Sequence, residues 1–486
     1  MTPTEPTAPE LPASIPVRSD IRDLLFNIAE GWTPSPMVVG PVEHLRFNDI
    51  DFSEVAPQVH LEGDRLVATL GQGRHSFRTR ELLPFPFGGA LEGTCSSKTT
   101  FHGSSILHVS WGADLTIELG SWVVLDGDAP SLWIGRVEGA KNLTFGGNLI
   151  VERTRADGLH LGRAGHLRLS GTYVYYLVQS GERSKPVWHL LLDTGAGVPD
   201  EEALGRDFLL LQFVLGRQLR IAELLGVTGG GRTVGSTTGS GTRTNLQRRS
   251  VPPVPFGQNN DAWIDECWAA LLFERASAIL TARPETRTAY MMAFDSYLDS
   301  MTLHVDADYL RLQITLEAFA YWILQLASQE ERAVVKDKAA WKQWVKDHSA
   351  EIRALASPGF EDSLFNRVIA VYRPSSGRVV PSAFLDFDLT LTPEMADELK
   401  NRDVVVHQGL MAPDGYEGER ELRRIAMVRT LLVALMARTV DYGGAINGWE
   451  IGALGRPVEP VDWWTIRTDD RRLASQTFIA EKPLGE

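Results

Sequence analysis

The stretch Leu391-Thr-Pro-Glu-Met-Ala-Asp-Glu-Leu-Lys-Asn-Arg-Asp-Val-Val-Val-His-Gln-Gly409 decides how the C-terminal half of this chain is read. It carries both ends of a helix. Thr392 is a capping residue, Pro393 suits the first helical position, and Glu394 and Asp397 complement the positive end of the helix dipole. Gly409 supplies the stop. Three consecutive valines, Val404 to Val406, are poor helix formers because β-branched side chains lose rotamer freedom there. Packing around the polar residues at each end of the run, rather than propensity, must dictate them.

Those polar residues are Arg402, Asp403 and His407. Asp403 and His407 are four apart and share a helical face. The carboxylate can accept the Nδ1 proton, fix the tautomer and raise the imidazole pKa. His407 also stands in the last turn, where the dipole favours a cation. Arg402 lies five positions before His407 and projects at another angle. The two converge on one phosphate if the helix end distorts, or if a second copy supplies one of them. The alternative is an Arg402 pair with Glu398 or Asp397 and a histidine that only caps the helix. On spacing alone that structural reading is the stronger.

Outward from this segment the pattern stays helical. Helices are expected over Asp261 to Thr281, Glu285 to Ser300, Asp306 to Ser328, Lys338 to Ala356, Pro393 to Gln408 and Gly418 to Val440, with Tyr372 to Asp388 as a Pro-, Ser- and Gly-bearing interruption. Upstream, residues 226–259 are rich in Gly, Thr and Ser and include Val251-Pro-Pro-Val-Pro255, the composition of a linker. Before that, Ile21 to about Arg220 reads as short strands and turns, among them Leu149 to Glu152, Tyr173 to Val178 and Val187 to Leu192. Asp207 to Leu225 reads as a closing helix. The fold class expected is multidomain α+β: a disordered start (1–19), a β-rich sandwich- or barrel-like domain (20–225), the linker (226–259), and an all-α bundle with a C-terminal tail (260–486).

Length agrees, since 486 residues exceed one ordinary core. Hydrophobic residues at 43% and charged residues at 23% are ordinary for a globular chain. Cys95 and Cys267 have no metal-ligand spacing and no disulfide framework. The first residues lack the basic start and apolar core of a signal peptide, and no apolar run is long enough to span a bilayer, so a cytoplasmic protein without a membrane partner is expected. The net charge of −14 excludes a chain that coats nucleic acid non-specifically, because its field repels phosphate; a local basic site must do any such holding.

Several motifs are set aside. Gly229-Gly-Gly-Arg-Thr-Val-Gly-Ser236 lacks the lysine and spacing of a phosphate loop and reads as flexible linker. His102, His108, His160, His166 and His189 read as ordinary strand residues. Asp126-Gly-Asp128 is a turn, too short for a calcium loop. The tail from Trp449 to Trp464 reads as packing. Glu317 matters more. It stands among Leu312, Ile314, Leu316, Phe319 and Ile323 on a helix apolar almost all round, so its carboxylate needs a partner. Gln313, Tyr321 and Arg402 are the choices. On the last long helix Arg423 and Arg424 are candidates for phosphate contact, although Glu417, Glu419 and Glu421 among the arginines suit a solvated face of mixed charge.

Arg402-Asp-Val-Val-Val-His407 resembles the R-x4-H motif of HEPN domains. The stretch Asp308-Tyr-Leu-Arg-Leu-Gln-Ile-Thr-Leu-Glu-Ala-Phe-Ala320 resembles the long second helix of HEPN domains of the ApeA type, with its Gln-x-x-x-Glu pairing, and Glu421 to Val440 resembles the closing helix. The resemblance covers about Tyr290 to Asp441, and the β-rich half matches in layout. It implies an antiphage, abortive-infection or toxin-like endoribonuclease that works as a homodimer, answers a phage-derived trigger and needs neither metal nor nucleotide cofactor. Arg402 and His407 would then be catalytic, Asp403 their orienting neighbour, Gln313 and Glu317 supporting. The segment Gln329 to Asp388 is longer than in a minimal unit of this kind, which bears on access to the site. The competing expectation is a non-catalytic dimerisation or binding module with a ligand-recognising β domain; a glycosidase-like β domain lacks the paired carboxylates it would need.

Overall fold

The structure is a computed structural model describing residues 17–37, 39, 41–47, 50–51, 58–62, 65–70, 91–95, 99–111, 115–127, 129–140, 149–154, 160–181, 187–195, 197–241, 252–254, 263–300, 305–326, 337–369, 376–387, 389, 391, 393, 395–399, 418–443, 445–446, 451–452, 456–457 and 464–465. The chain is α+β, with a large antiparallel sheet in its N-terminal half and helices in its C-terminal half. It divides into two compact units, Met1–Ala282 and Arg283–Glu486. The expected boundary near 260 therefore shifts. Helix α3 (Trp263–Ala282), assigned from sequence to the helical domain, belongs to the β-rich unit.

That unit opens with a helix rather than strands. Helix α1 (Ser19–Ala29) puts Ile21, Leu24, Leu25 and Ile28 on one face at helical spacing. Among the described residues fourteen strands follow, and their pairings are antiparallel. The hydrogen-bonded path runs β2 (Ile50–Asp51), β1 (Val42–Phe47), β5 (Leu91–Cys95), β6 (Thr99–Trp111), β7 (Leu115–Asp126), β14 (Thr233–Gly241), β13 (Arg220–Val227), β8 (Leu132–Glu138), β12 (Val187–Asp193), β11 (Val174–Ser180), β10 (His160–Ser170) and β9 (Leu149–Thr154). A hairpin of β3 (Gln58–Glu62) and β4 (Arg65–Leu70) joins through β7. Alternation along the strands separates the two faces of the sheet. Tyr176, Val178, Leu191 and Ile134 meet α1. On the other face Tyr175 meets Phe273 of α3 edge to face at 5.8 Å. A second core gathers Leu45, Leu66, Leu91, Phe101, Ile117, Leu119 and Val124.

Two sequence expectations fail here for one reason. Helix α2 spans Glu201–Val214, capped by the Asp200 carboxylate on the Ala203 amide at 2.8 Å, and the chain is in a strand by Arg220. Gly216, at φ +58°, makes the turn that a continuing helix would forbid. The expected linker likewise contains β14, paired with β13 and β7, and Gly229 to Arg232 forms the hairpin turn between β13 and β14. Its small residues answer to close strand approach: a Cβ on Gly239 would sit 1.9 Å from the Ile221 carbonyl oxygen. His102, His108, His160, His166 and His189 all lie on strands.

In the second unit α4 (Pro284–Asp299) and α5 (Val305–Leu326) pack side by side, and α10 (Glu419–Thr439) packs on α5. Tyr290 of α4 is fully buried, edge to face with Phe319 at 5.1 Å, and its hydroxyl donates to Thr439 at 2.7 Å. The expected helix from Lys338 breaks at His348 into α6 (Lys338–Asp347) and α7 (Ser349–Ala354), which pack with α8 (Glu361–Ile369). The expected interruption at 372–388 is mostly α9 (Ser376–Asp386), which tolerates Pro381 because Val379, Val380, Ala383, Phe384 and Phe387 bury its apolar face. Among the described residues no helix is long and apolar enough to cross a membrane.

Candidate functional site

Arg402, Asp403 and His407 lie outside the described residues, as does the expected cap Thr392. What the structure describes is the helical stretch 395–399 that precedes them in the chain. Residues 395–399 are helical and bring Glu398, four positions before Arg402, against α5 and α10.

Each partner is placed by its own helix. On α5 the buried residues Tyr309, Leu312, Gln313, Leu316, Phe319, Ala320 and Ile323 recur at three- and four-residue spacing, so the inner face includes Tyr309 and Gln313 one turn apart. On α10 the arginine at 424 turns inward while its neighbour Arg423 faces solvent. Arg424 Nε lies 3.0 Å from both carboxylate oxygens of Glu398. The Tyr309 hydroxyl donates to Glu398 Oε1 and accepts from Gln313 Nε2 at 3.1 Å, and Arg424 Nη2 lies 3.4 Å from the same hydroxyl. The guanidinium also sits 5.0 Å from the centre of the Tyr309 ring. The side chains of Arg424 and Glu398 are only 12% and 7% exposed, so this ion pair is held away from water.

Burial first, then the Glu398 carboxylate, push the Tyr309 hydroxyl well above its ordinary range, so it stays protonated and donates. Burial alone would lower the Arg424 guanidinium, and the hydrogen bonds and charge of Glu398 and Tyr309 reverse that and raise it. The Arg424 guanidinium therefore keeps its charge against Glu398, and Gln313 donates to the same tyrosine hydroxyl. One turn further along α10, Arg429 is also buried. Its Nη2 is 3.5 Å from Ser300 Oγ and its guanidinium 5.9 Å from the centre of the Tyr297 ring. Burial lowers its pKa against the opposing pull of Tyr297 and Asp308.

Two residues singled out separately in the sequence, Gln313 and Arg424, thus meet at one tyrosine hydroxyl. Arg424 is not positioned as an exposed phosphate contact, because its guanidinium is spent on Glu398. Glu317 departs from expectation as well: it is half-buried on the outward side of α5, beside Ile314 (51% exposed) and Tyr321 (49% exposed). Sequence reasoning does not find Tyr309 and Glu398 as cluster members. Tyr309 has a signal, its four-residue spacing from Gln313; the partner of Glu398, 26 residues away on another helix, has none. The cluster ties the 395–399 helix to α5 and α10, and among the described residues the buried Gln313 Oε1 is left without a hydrogen-bond partner. Comparison with protein-family models, curated proteins and solved structures gave no match.

Proposed function

We propose that the helical unit is a metal-independent RNA endonuclease of the HEPN type, acting through Arg402 and His407 with Asp403 as orienting neighbour. The β-rich unit then serves as the sensor or restraint that a defence nuclease needs. The observation that carries this reading is the buried Glu398–Arg424–Tyr309–Gln313 cluster. It anchors the 395–399 helix to α5 and α10, the same two helices whose sequences resemble the second and closing helices of HEPN domains, immediately before the R-x4-H residues. A rigid second layer of this kind is what a phosphoryl-transfer site requires, since reacting groups must be held to a fraction of an ångström.

RNA carries its own nucleophile. The 2′-hydroxyl attacks the adjacent phosphorus, the bond to the 5′-oxygen of the next nucleotide breaks, and the products are a 2′,3′-cyclic phosphate and a 5′-hydroxyl. One imidazole takes the 2′ proton and another gives a proton to the departing oxygen, each role worth roughly 10²–10⁴-fold. Two copies of His407 across a two-fold dimer supply both. Arg402 offers a planar pair of donors to the phosphoryl oxygens as their charge builds.

The test in cells is growth. Expression of the chain slows growth, and His407→Ala or Arg402→Ala relieves the arrest at equal protein level. Arrest that persists in both variants removes the catalytic assignment.

A further inference from the structure

Helix α5 packs against α4, α9 and α10, and a line of its residues is left to solvent. Ala307, Ile314, Ala318 and Tyr321 are exposed, and their steps of seven, four and three residues run straight along the helix. Helix α4 has a matching exposed line in Glu285, Thr288, Met292 and Asp295. Arg311, one turn before Ile314, reaches Asp299 at 2.7 Å and Asp295 at 3.7 Å, and Asp295 follows Met292 by one turn. These ion pairs join the two lines into one surface. Met292 is 63% exposed there, alongside the half-exposed Ile314 and Tyr321. Single exposed apolar side chains are ordinary, whereas large ones gathered on one face mark an interaction surface.

The charge around this patch is negative. Residues 284–326 hold six acids and no lysine, against Arg287 and Arg311. Arg311 serves Asp295 and Asp299 together, so the rim carries carboxylate in excess. Partial burial, then the Asp299 carboxylate, push Asp295 above its ordinary range against the pull of Arg311, as expected of two acids sharing one cation. A second copy of the chain brings the same acids to the contact, and like charges meet. An apolar face rimmed by carboxylates instead fits an amphipathic helix whose polar side is basic. Two helices side by side leave a groove along their seam for a third, and methionine adapts to the side chains it receives.

We propose that the open face of α4 and α5 is the docking site for an amphipathic helix of a partner protein, apolar on one side and rich in lysine or arginine on the other. The proposal makes no use of the ribonuclease reading, and either can fail alone.

The test is fluorescence anisotropy of a labelled amphipathic leucine–lysine peptide, about five helical turns long, titrated with full-length protein. Met292→Ser together with Ile314→Ser keeps the melting temperature, because both side chains are exposed, and weakens binding at least about tenfold. Asp295→Asn together with Asp299→Asn weakens it about fivefold and flattens its dependence on salt. Failure of the peptide to bind, equal affinity in the double-serine protein, or equal binding of the matching leucine–glutamate peptide overturns the proposal. Affinity and salt dependence unchanged in the double-asparagine protein overturn the basic partner. Self-association in sedimentation that the double-serine protein loses, with peptide affinity unchanged, gives the face to a second copy and overturns the proposal as well.

Discussion

Replacing Glu398 by alanine leaves the Arg424 guanidinium, 12% exposed, without its carboxylate and the Tyr309 hydroxyl without its acceptor. Stripping one partner from a buried ion pair costs about 3–5 kcal/mol, a large share of the stability of any domain. Tyr309→Phe removes one hydroxyl and costs less, about 1–2 kcal/mol, because the charges stay paired. The pair itself is isolated by a double-mutant cycle of Glu398→Gln, Arg424→Met and the two together. Removing both charges leaves no unpaired charge in the cluster, so the double variant is no less stable than the worse single one. The coupling expected is roughly 2–3 kcal/mol, against about 0.2–1 kcal/mol for an exposed pair. Calorimetry of the full chain reads the loss, and hydrogen exchange assigns it to α5 and α10 and not to the sheet. Coupling below about 0.5 kcal/mol, or a loss confined to the β-rich unit, refutes the anchoring role.

Arginines 423 and 424 separate cleanly: Arg423→Ala, on the solvent side, shifts stability by under about 0.5 kcal/mol, whereas Arg424→Ala falls in the range of Glu398→Ala, both read by thermal melting. The β-rich unit loses stability in mild acid. Burial drives His166 on β10 and His189 on β12 from 6.5 to about 4, with Arg136 adding to the effect at His189, so the folded state binds fewer protons than the unfolded one. Stability is intact above pH 6.5, declines as pH falls through that value, and has dropped by roughly 3 kcal/mol per histidine near pH 4. His166→Phe flattens the lower end of the pH–melting curve, and an unaltered curve speaks against the buried neutral ring. Finally, Gly171→Ala drives a methyl to 2.7 Å from Asp207 and 2.8 Å from Phe273, so it lowers the melting temperature of the β-rich unit while leaving the helical unit's transition in place.

The helical half is legible where local chemistry and packing agree. Pro284 opens α4, the periodic apolar face of α5 is plain in sequence, and α10 ends within a residue of expectation. Sequence and structure part where tertiary contact overrides composition. Phe208 to Leu215 is apolar at every position but Gln212, so its period does not reveal that the helix stops at Val214 and a strand begins at Arg220. The glycines of β14 look like a linker because nothing local announces that Ile221 and Leu125 press against them. The site divides the same way. Gln313 stands out in sequence, but the outward position of Glu317 and the capture of Glu398 by Arg424 depend on how helices rotate against one another, which spacing along one helix does not encode.

If Arg402 and His407 cut RNA without metal, the ends they leave identify the chemistry. Purified full-length protein is incubated with total RNA in the presence of chelator, with His407→Ala and Arg402→Ala proteins of matched melting temperature alongside, and the new termini are mapped chemically. Expected are 2′,3′-cyclic phosphate and 5′-hydroxyl ends from the unaltered protein, reduced at least about a hundredfold in each variant. Cleavage of equal rate in all three, or 3′-hydroxyl ends in any, contradicts the assignment.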